Sequence, residues 1–206
     1  MAKRARLESG SIIEIPLNFL SKCLYAKYIN MSDYIENSAE VIKVYSYTSD
    51  ISLECIDNIC LEEDDLLIGY RKIAGIRKAI NAGLWKIVGK RNVLDKEKLI
   101  PDYKRYYPSI PSLERDAKEW HYMINDNVNT LTFAERETVR HLELSAAYGT
   151  GLMEVRAAME FIRKQNKNLN DYFDMNTYVN ISMADDVYSR PMYSDIPLGI
   201  RGKRIV

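Results

Sequence analysis

The segment Gly10-Ser11-Ile12-Ile13-Glu14-Ile15-Pro16-Leu17 sets the character of the N-terminal half of the chain. Its apolar residues Ile13, Ile15 and Leu17 recur at every second position, which predicts a half-buried β-strand. Pro16 has no backbone N–H to donate and therefore indicates a strand end or a sheet edge. Four later runs also have strand character: Leu24 to Ile29, Val41 to Tyr47, Leu66 to Ile68 and Leu84 to Val88. Short strands at this spacing favour a small β-barrel or a strongly bent antiparallel sheet over βαβ units.

The period of the apolar residues changes in the C-terminal part. Thr132 and Glu135 have the spacing of a capping box, which predicts a first helix ending near Gly149. A second helix is predicted to begin at Thr150. Its apolar stripe consists of Leu152, Val155, Met159 and Ile162. Together the two predict an αα-hairpin, and the tyrosine-rich stretch after Asn170 predicts an irregular tail.

The predicted fold class is therefore α+β. A β-rich domain is expected over residues 1–125, and a helical hairpin plus tail packed on it over residues 126–206; a single domain is the open alternative. A chain of 206 residues that is 47% hydrophobic can bury a large core. Three prolines, Pro101, Pro108 and Pro111, exclude a long helix in the stretch between the two parts.

Positive and negative residues balance overall but are separated along the chain. Lys+Arg and Asp+Glu number 29 each, so net charge provides no attraction to nucleic acid or to an acidic membrane. Residues 54–65 are acidic, whereas residues 66–94 contain no acidic residue. The basic side chains there are Arg71, Lys72, Arg77, Lys78, Lys86, Lys90 and Arg91. Runs of this kind are usually solvated faces, so that interpretation stands beside any functional one.

No residue pattern indicates an enzyme. The two histidines and three cysteines do not have the spacing of a metal site. Gly149-Thr150-Gly151 lacks the third glycine of a dinucleotide fingerprint, and the run from Glu62 to Asp65 lacks the alternating ligands of a calcium loop. We therefore predict no catalytic residues, no metal and no cofactor.

Cysteine usage and hydropathy bear on the compartment. An odd number of cysteines in a chain of this length indicates a reducing environment. The sequence contains no run of about 18 apolar residues, and its basic N-terminus is not followed by the apolar stretch of a signal peptide. The expected location is the cytoplasm.

Trp85 has two interpretations. It stands beside Leu84 in a predicted strand and is expected to be a core residue. Because the strand lies in the basic run, the alternative is an exposed aromatic platform on which nucleotide bases stack.

Four of these segments carry a resemblance to a known family. Gly10 to Leu17, Leu24 to Lys27, Ile42 to Tyr45 and Gly83 to Gly89 resemble the immunity protein 26 family of bacterial polymorphic toxin systems. The turn from Asn18 to Lys22 is longer and more apolar than is usual in that family, and the tail after Asn170 has no counterpart there. The resemblance implies a cytoplasmic antitoxin that blocks a cognate secreted toxin by direct contact, with no catalytic residues.

Charge suggests which residues would bind a partner. The acidic residues Glu62, Glu63, Asp64 and Asp65 could mimic a phosphate backbone for a toxin that acts on nucleic acid, and we expect them to contact it. Arg71 and Lys72 are further candidates. The alternative function is a nucleic-acid-binding β-barrel module using the basic segment, residues 71–91, which requires its side chains to converge on one face.

Overall fold

The computed structural model describes residues 6–36, 38–108 and 113–205. Its main element is a six-stranded sheet with the spatial order β5-β1-β2-β3-β4-β9. The strands are β1 (Ser11–Leu17), β2 (Lys22–Asn30), β3 (Glu40–Ser49), β4 (Leu66–Ala74), β5 (Lys86–Lys90) and β9 (Tyr148–Gly149). Neighbours from β5 to β4 are antiparallel, and only β9 joins in parallel. All five strands predicted from the N-terminal half are present, and the α+β class is confirmed.

The barrel alternative is not confirmed. β5 and β9 lie at opposite ends of the strand order and do not pair with each other among the described residues. The chain leaves this sheet after β5, forms a second, three-stranded antiparallel sheet, β6-β7-β8, and returns to the first sheet as β9, beside β4 and away from β5. β6 is Tyr103–Tyr107, β7 is Glu119–Met123 and β8 is Thr132–Phe133. Register shifts between neighbouring strands bend the larger sheet locally.

The strand β1 forms as its alternation predicts. Ile13, Ile15 and Leu17 are buried in the largest apolar cluster. Pro16 lies beyond Glu14, the last residue of β1 paired with β5, so it sits near a strand end as predicted. Gly10 precedes the strand with φ +90°, and a Cβ there would lie 2.1 Å from the carbonyl oxygen of Arg91. Only glycine combines this backbone angle with so close an approach.

The predicted first helix of the hairpin is wrong. Thr132 belongs to β8, and its hydroxyl donates to the carbonyl of Thr130 instead of capping a helix. The helix α2 spans only Arg136–Val139. The chain beyond it runs extended, because the Lys104 N–H donates to the Glu143 carbonyl and the Ser145 N–H to the Lys104 carbonyl. Strand-like pairing with β6 therefore replaces the helical hydrogen bonds that the apolar spacing had suggested.

The predicted second helix is present, but its partner lies elsewhere. α3 spans Thr150–Lys164 and packs on α4, Tyr178–Tyr188, which falls in the stretch predicted to be an irregular tail. That prediction is wrong for these eleven residues. The Thr177 hydroxyl caps α4 by accepting from the Asn180 N–H at 3.3 Å. A short helix α1, Ile76–Asn81, connects β4 to β5.

Residues from both predicted regions share one apolar cluster. It contains Ile15 and Ile42 from the sheet, Ala157 and Ile162 from α3, and Val187 from α4. No described helix combines the length and the apolar character needed to cross a membrane. Pro101 and Pro108 flank β6 as expected for a region without a long helix, and Pro111 lies outside the described residues.

Trp85 occupies the core, as the first of its two interpretations predicted. Its side chain is 2% exposed, and its indole N–H donates to Glu154 Oε1 at 2.7 Å. It immediately precedes β5 and joins the largest apolar cluster. The platform interpretation requires an exposed ring and does not fit this position.

Trp85→Ala is expected to lower the free energy of unfolding by about 3–5 kcal/mol, because it leaves a cavity in the core. The neighbouring variant Leu84→Ala is the control: Leu84 is 62% exposed, and its truncation should change stability by about 0.5 kcal/mol or less. Urea denaturation of both variants measures the difference. Equal stability of the two would contradict the core role.

Candidate functional site

The acidic loop, which we define as residues 50–65 between β3 and β4, is held to the sheet by its backbone. The Leu53 N–H donates to Glu14 Oε2 at 2.8 Å, and Lys86 Nζ donates to the Leu53 carbonyl at 2.7 Å. Arg91 Nη2 donates to the carbonyls of Ile56, Asp57 and Ile59 at 2.8–3.1 Å. The side chain of Ile56 is buried beneath the loop. These contacts give a loop whose only regular element among the described residues is a short 3-10 helix, Glu63–Asp65, a defined position.

The carboxylates of the acidic loop divide into two groups. Asp50, Glu63 and Asp65 are paired within the chain: Asp50 with Lys22 at 2.5 Å, Glu63 with Lys43, and Asp65 with Ser46 and with Lys164 at 3.0 Å. Of these three, Asp50 and Asp65 are nevertheless exposed. The other four are exposed and less engaged: Glu54, Asp57, Glu62 and Asp64. Glu54 and Asp57 form no ion pair with any described residue, and Asp64 has only Arg201 at 3.9 Å. This second group therefore keeps the most charge open to a partner.

Arg71 is buried, whereas a residue that binds a partner must be exposed. Its side chain is 0% exposed; Nη1 donates to Glu143 Oε2 at 3.1 Å and to the Leu144 carbonyl at 3.0 Å. The guanidinium carbon also lies 3.5 Å from the ring centre of Tyr148. Arg71 is therefore an interior residue, because β4 is covered on this side by the chain from Glu143 to Tyr148.

Lys72 is also engaged within the chain. It pairs with Asp126, and its Nζ lies 3.2 Å from the Ser145 hydroxyl. Four other cations of the basic segment have partners within the chain: Lys86 and Arg91 hold the acidic loop, Lys90 pairs with Glu8, and Arg77 lies 3.8 Å from Glu40. Part of their charge is therefore already engaged inside the molecule.

A buried ion network lies where β4, α3 and α4 meet. It contains three cations and three carboxylates: Arg71, Arg156, Arg190, Glu143, Glu160 and Asp186. Arg156 contacts Asp186 and donates to Glu160 Oε1 at 2.7 Å, while Arg190 contacts Asp186 and reaches within 2.6 Å of Glu143 Oε2. The balance of signs lets six ionisable side chains share an interior from which water is excluded.

Burial and ion pairing shift the pKa values of the carboxylates Glu143 and Asp186 in opposite directions. Burial alone would raise the pKa of Glu143, but Arg190, Arg156 and Arg71 lower the pKa to about 2. Asp186 follows the same pattern: burial disfavours its charge, and Arg156 and Arg190 nevertheless hold its pKa below the ordinary range. Both carboxylates are thus ionised at neutral pH, and their role is structural pairing.

Sequence reasoning missed this network. Arg156 and Glu160 have the i, i+4 spacing of a pair on a helix surface, yet both are buried. The spacing alone does not distinguish a surface pair from a buried one. Asp186 and Arg190 repeat the i, i+4 spacing in a stretch that was predicted to be irregular.

A second buried ion cluster lies under the other part of the sheet. Glu97 accepts from Lys27 Nζ at 2.5 Å and from Lys43 Nζ at 2.7 Å. The Leu94 N–H also donates to it at 2.8 Å. Burial by itself raises the pKa of Glu97, but these three hydrogen bonds lower the pKa to about 2. Glu97 therefore carries its charge across the physiological pH range and connects the loop after β5 to β2 and β3.

No group of three or more His, Cys, Asp or Glu side chains capable of holding a metal occurs in the part of the chain that the structure describes. His141 is partly buried, and its Nε2 lies 2.6 Å from the Lys203 carbonyl. Burial lowers the pKa of His141, which favours its neutral form. It contacts the C-terminal segment and has no second histidine beside it among the described residues.

Neither a family model, nor a curated protein, nor a solved structure matches this chain. The resemblance to the immunity protein 26 family therefore stays a prediction from the quoted segments.

Glu97→Gln is expected to lower the free energy of unfolding at pH 7 by about 3–5 kcal/mol, because it leaves Lys27 buried without a counter-charge and Lys43 with Glu63 alone. Asp95→Asn is the control: Asp95 is exposed and pairs with Lys98, so its loss should leave the stability close to that of the parent. Chemical denaturation of both variants provides the measurement.

The pH dependence of this difference has a defined sign. A carboxylate whose pKa falls on folding stabilises the folded state above its ordinary pKa, and that stabilisation is lost as pH falls toward the folded value. For Glu97 the window runs from about 4.5 down to about 2. The gap in unfolding free energy between parent and Glu97→Gln should therefore narrow through this window. A gap that stays constant or widens would contradict the assignment.

Proposed function

We propose that this chain is an immunity protein, which binds a cognate bacterial toxin and neutralises it by direct protein–protein contact. The observation that supports the proposal is which groups the basic side chains around the acidic loop contact. Lys86 and Arg91 donate to backbone carbonyls of the loop, and its carboxylates Glu54 and Asp57 form no ion pair within the part of the chain that the structure describes. The loop thus combines a held backbone with exposed negative charge.

Such a surface suits a basic partner. A toxin that acts on nucleic acid needs positive charge in its active-site cleft, and an acidic loop can occupy that cleft in place of a phosphate backbone. Complementary charge of this kind raises association rates most at low salt. A loop already held in position also loses less conformational entropy on binding than a free segment.

The interface proposed from the sequence changes in three respects. Glu62 and Asp64 remain candidates, whereas Glu63 and Asp65 are set aside because each is paired with a lysine of the chain. Glu54 and Asp57 are added as candidates because they are exposed. Arg71 and Lys72 are no longer part of the proposed interface, since both are engaged inside the fold.

Neutralising the exposed group is expected to slow association with the toxin. The variant Glu54→Gln, Asp57→Asn, Glu62→Gln, Asp64→Asn should reduce the association rate constant roughly 10-fold or more at low ionic strength, and less at high salt, because steering is screened. The partner for the measurement is the protein product of the open reading frame that neighbours this chain's gene, and stopped-flow mixing at two salt concentrations gives the rates.

A matched control removes four exposed carboxylates elsewhere: Glu36→Gln, Glu119→Gln, Glu135→Gln, Asp171→Asn. It changes the net charge equally and should leave association within about threefold of the parent, since long-range effects of distant charges are screened. Survival of toxin-producing cells is the second readout. Equal rates and equal protection for both quadruple variants would exclude the acidic loop as the interface.

The nucleic-acid alternative has its own measurement. Because Arg71 is buried and Lys72 is paired, mixed-sequence DNA and RNA should bind only weakly at physiological salt, with dissociation constants of high micromolar or above. Fluorescence anisotropy across a salt series measures this. Submicromolar binding with a steep salt slope would support the alternative and oppose the immunity proposal.

A further inference from the structure

The short turn between β1 and β2 exposes a phenylalanine. The Ser21 N–H donates to the Asn18 carbonyl at 3.2 Å and closes the turn, and Leu20 packs against the largest apolar cluster. Phe19, between them, is 54% exposed. Its ring meets the ring of Phe173 edge to face, with the ring centres 5.2 Å apart. The turn therefore presents an aromatic side chain to solvent on a backbone whose position is defined.

A second apolar side chain is exposed at the start of the acidic loop. Ile51 is 72% exposed, and its carbonyl accepts from the Ser49 hydroxyl at 2.6 Å. The residue before it, Asp50, pairs with Lys22 at 2.5 Å, and Lys22 follows Phe19 by three residues. This ion pair places Phe19 and Ile51 at the same end of the sheet. We call these two side chains the apolar pair.

The apolar pair is continuous with the acidic loop. Ile51 belongs to the loop itself. At the other end of the loop, Asp65 pairs at 3.0 Å with Lys164, the last residue of α3, and the chain continues from there to Phe173. Both ends of the acidic loop are thus connected to segments that carry Phe19 or contact its ring. A partner that covers the loop can therefore reach the apolar pair as well.

The charges beside the apolar pair favour a basic partner over a second copy of this chain. In a dimer with two-fold symmetry, the same surface patch meets itself. Two copies in contact through Phe19 and Ile51 would bring their acidic loops together, with the exposed carboxylates of Glu54 and Asp57 on both sides. Like charges at an interface oppose association, whereas a basic partner meets these carboxylates with opposite charge.

Apolar anchors and charges contribute differently to a protein complex. Charges at the edge of an interface mainly change the association rate, whereas a few fully desolvated side chains carry most of the binding free energy. We propose that Phe19 and Ile51 are the desolvated anchors of the toxin interface, and that the toxin has an apolar pocket beside its basic cleft. This inference rests on the proposed function. It assigns the lifetime of the complex to the apolar pair and its rate of formation to the acidic loop.

Rate measurements on the full chain and the protein product of the neighbouring open reading frame test this division. Phe19→Ala should raise the dissociation rate constant roughly 10-fold or more, and Ile51→Ala about threefold or more, because each removes apolar surface that the partner covers. Both should leave the association rate constant within about twofold of the parent. Their effects should also be equal at low and high salt, because ions do not screen apolar burial. The quadruple carboxylate variant should show the opposite pattern, a slower association that depends on salt.

The matched control is Phe133→Ala on β8, in the second sheet. Phe133 is 59% exposed and meets the ring of His121 edge to face at 5.9 Å, so it resembles Phe19 in type, exposure and ring contact. Its removal should leave dissociation within about twofold of the parent. Ile51→Ala decides the question if Phe19→Ala fails to fold, because Ile51 is the more exposed of the two.

Three outcomes would overturn the inference while leaving the proposed function in place. These are unchanged dissociation in the folded Phe19→Ala and Ile51→Ala variants, an equal effect of Phe133→Ala, and a dimer of the parent in analytical ultracentrifugation that Phe19→Ala abolishes. The last would assign the apolar pair to a second copy of this chain. Failure of the parent to bind the neighbouring gene product would overturn both proposals.

Discussion

The pairing of Arg156 with Asp186 is the contact on which the arrangement of the C-terminal part depends. It joins α3 to α4, and through Arg190 and Glu143 it extends to Arg71 on β4. Replacing such a network by apolar side chains need not destabilise a protein, but removing one member leaves a buried charge uncompensated. The network therefore specifies which elements pack together. A helix that docked in another register would bury one of these charges alone.

The same constraint explains the extended chain between α2 and α3. Glu143 must reach Arg71 and Arg190, and Tyr148 must lie against the Arg71 guanidinium and donate to Asp186. An extended segment paired with Lys104 and with β4 meets these requirements.

Around the acidic loop, Arg91 and Lys86 donate hydrogen bonds to backbone carbonyls and so position the loop. Lys27 and Lys43, in contrast, pair with the buried carboxylate of Glu97. Basic side chains that are separated from the acidic ones in the sequence thus find partners within the fold, and some negative charge remains on the surface. This is the physical basis for considering the acidic loop as the face that meets a basic partner.

Local sequence determined the elements whose residues interact with near neighbours or with one apolar surface. The alternation of Ile13, Ile15 and Leu17 was sufficient to predict β1, and the apolar stripe through Val155 and Met159 was sufficient to predict α3. In both elements the spacing of the apolar residues places them on the one face that the fold buries. Tertiary structure alone decided the rest. The spacing of Thr132 and Glu135 predicted a helix cap, yet Thr132 pairs with β7 in a strand. Arg71 was predicted to lie at the surface, yet it is buried because it pairs with Glu143, which is distant in sequence. The cost of burying a charge depends on the partner it meets, and that partner is known only once the chain has folded.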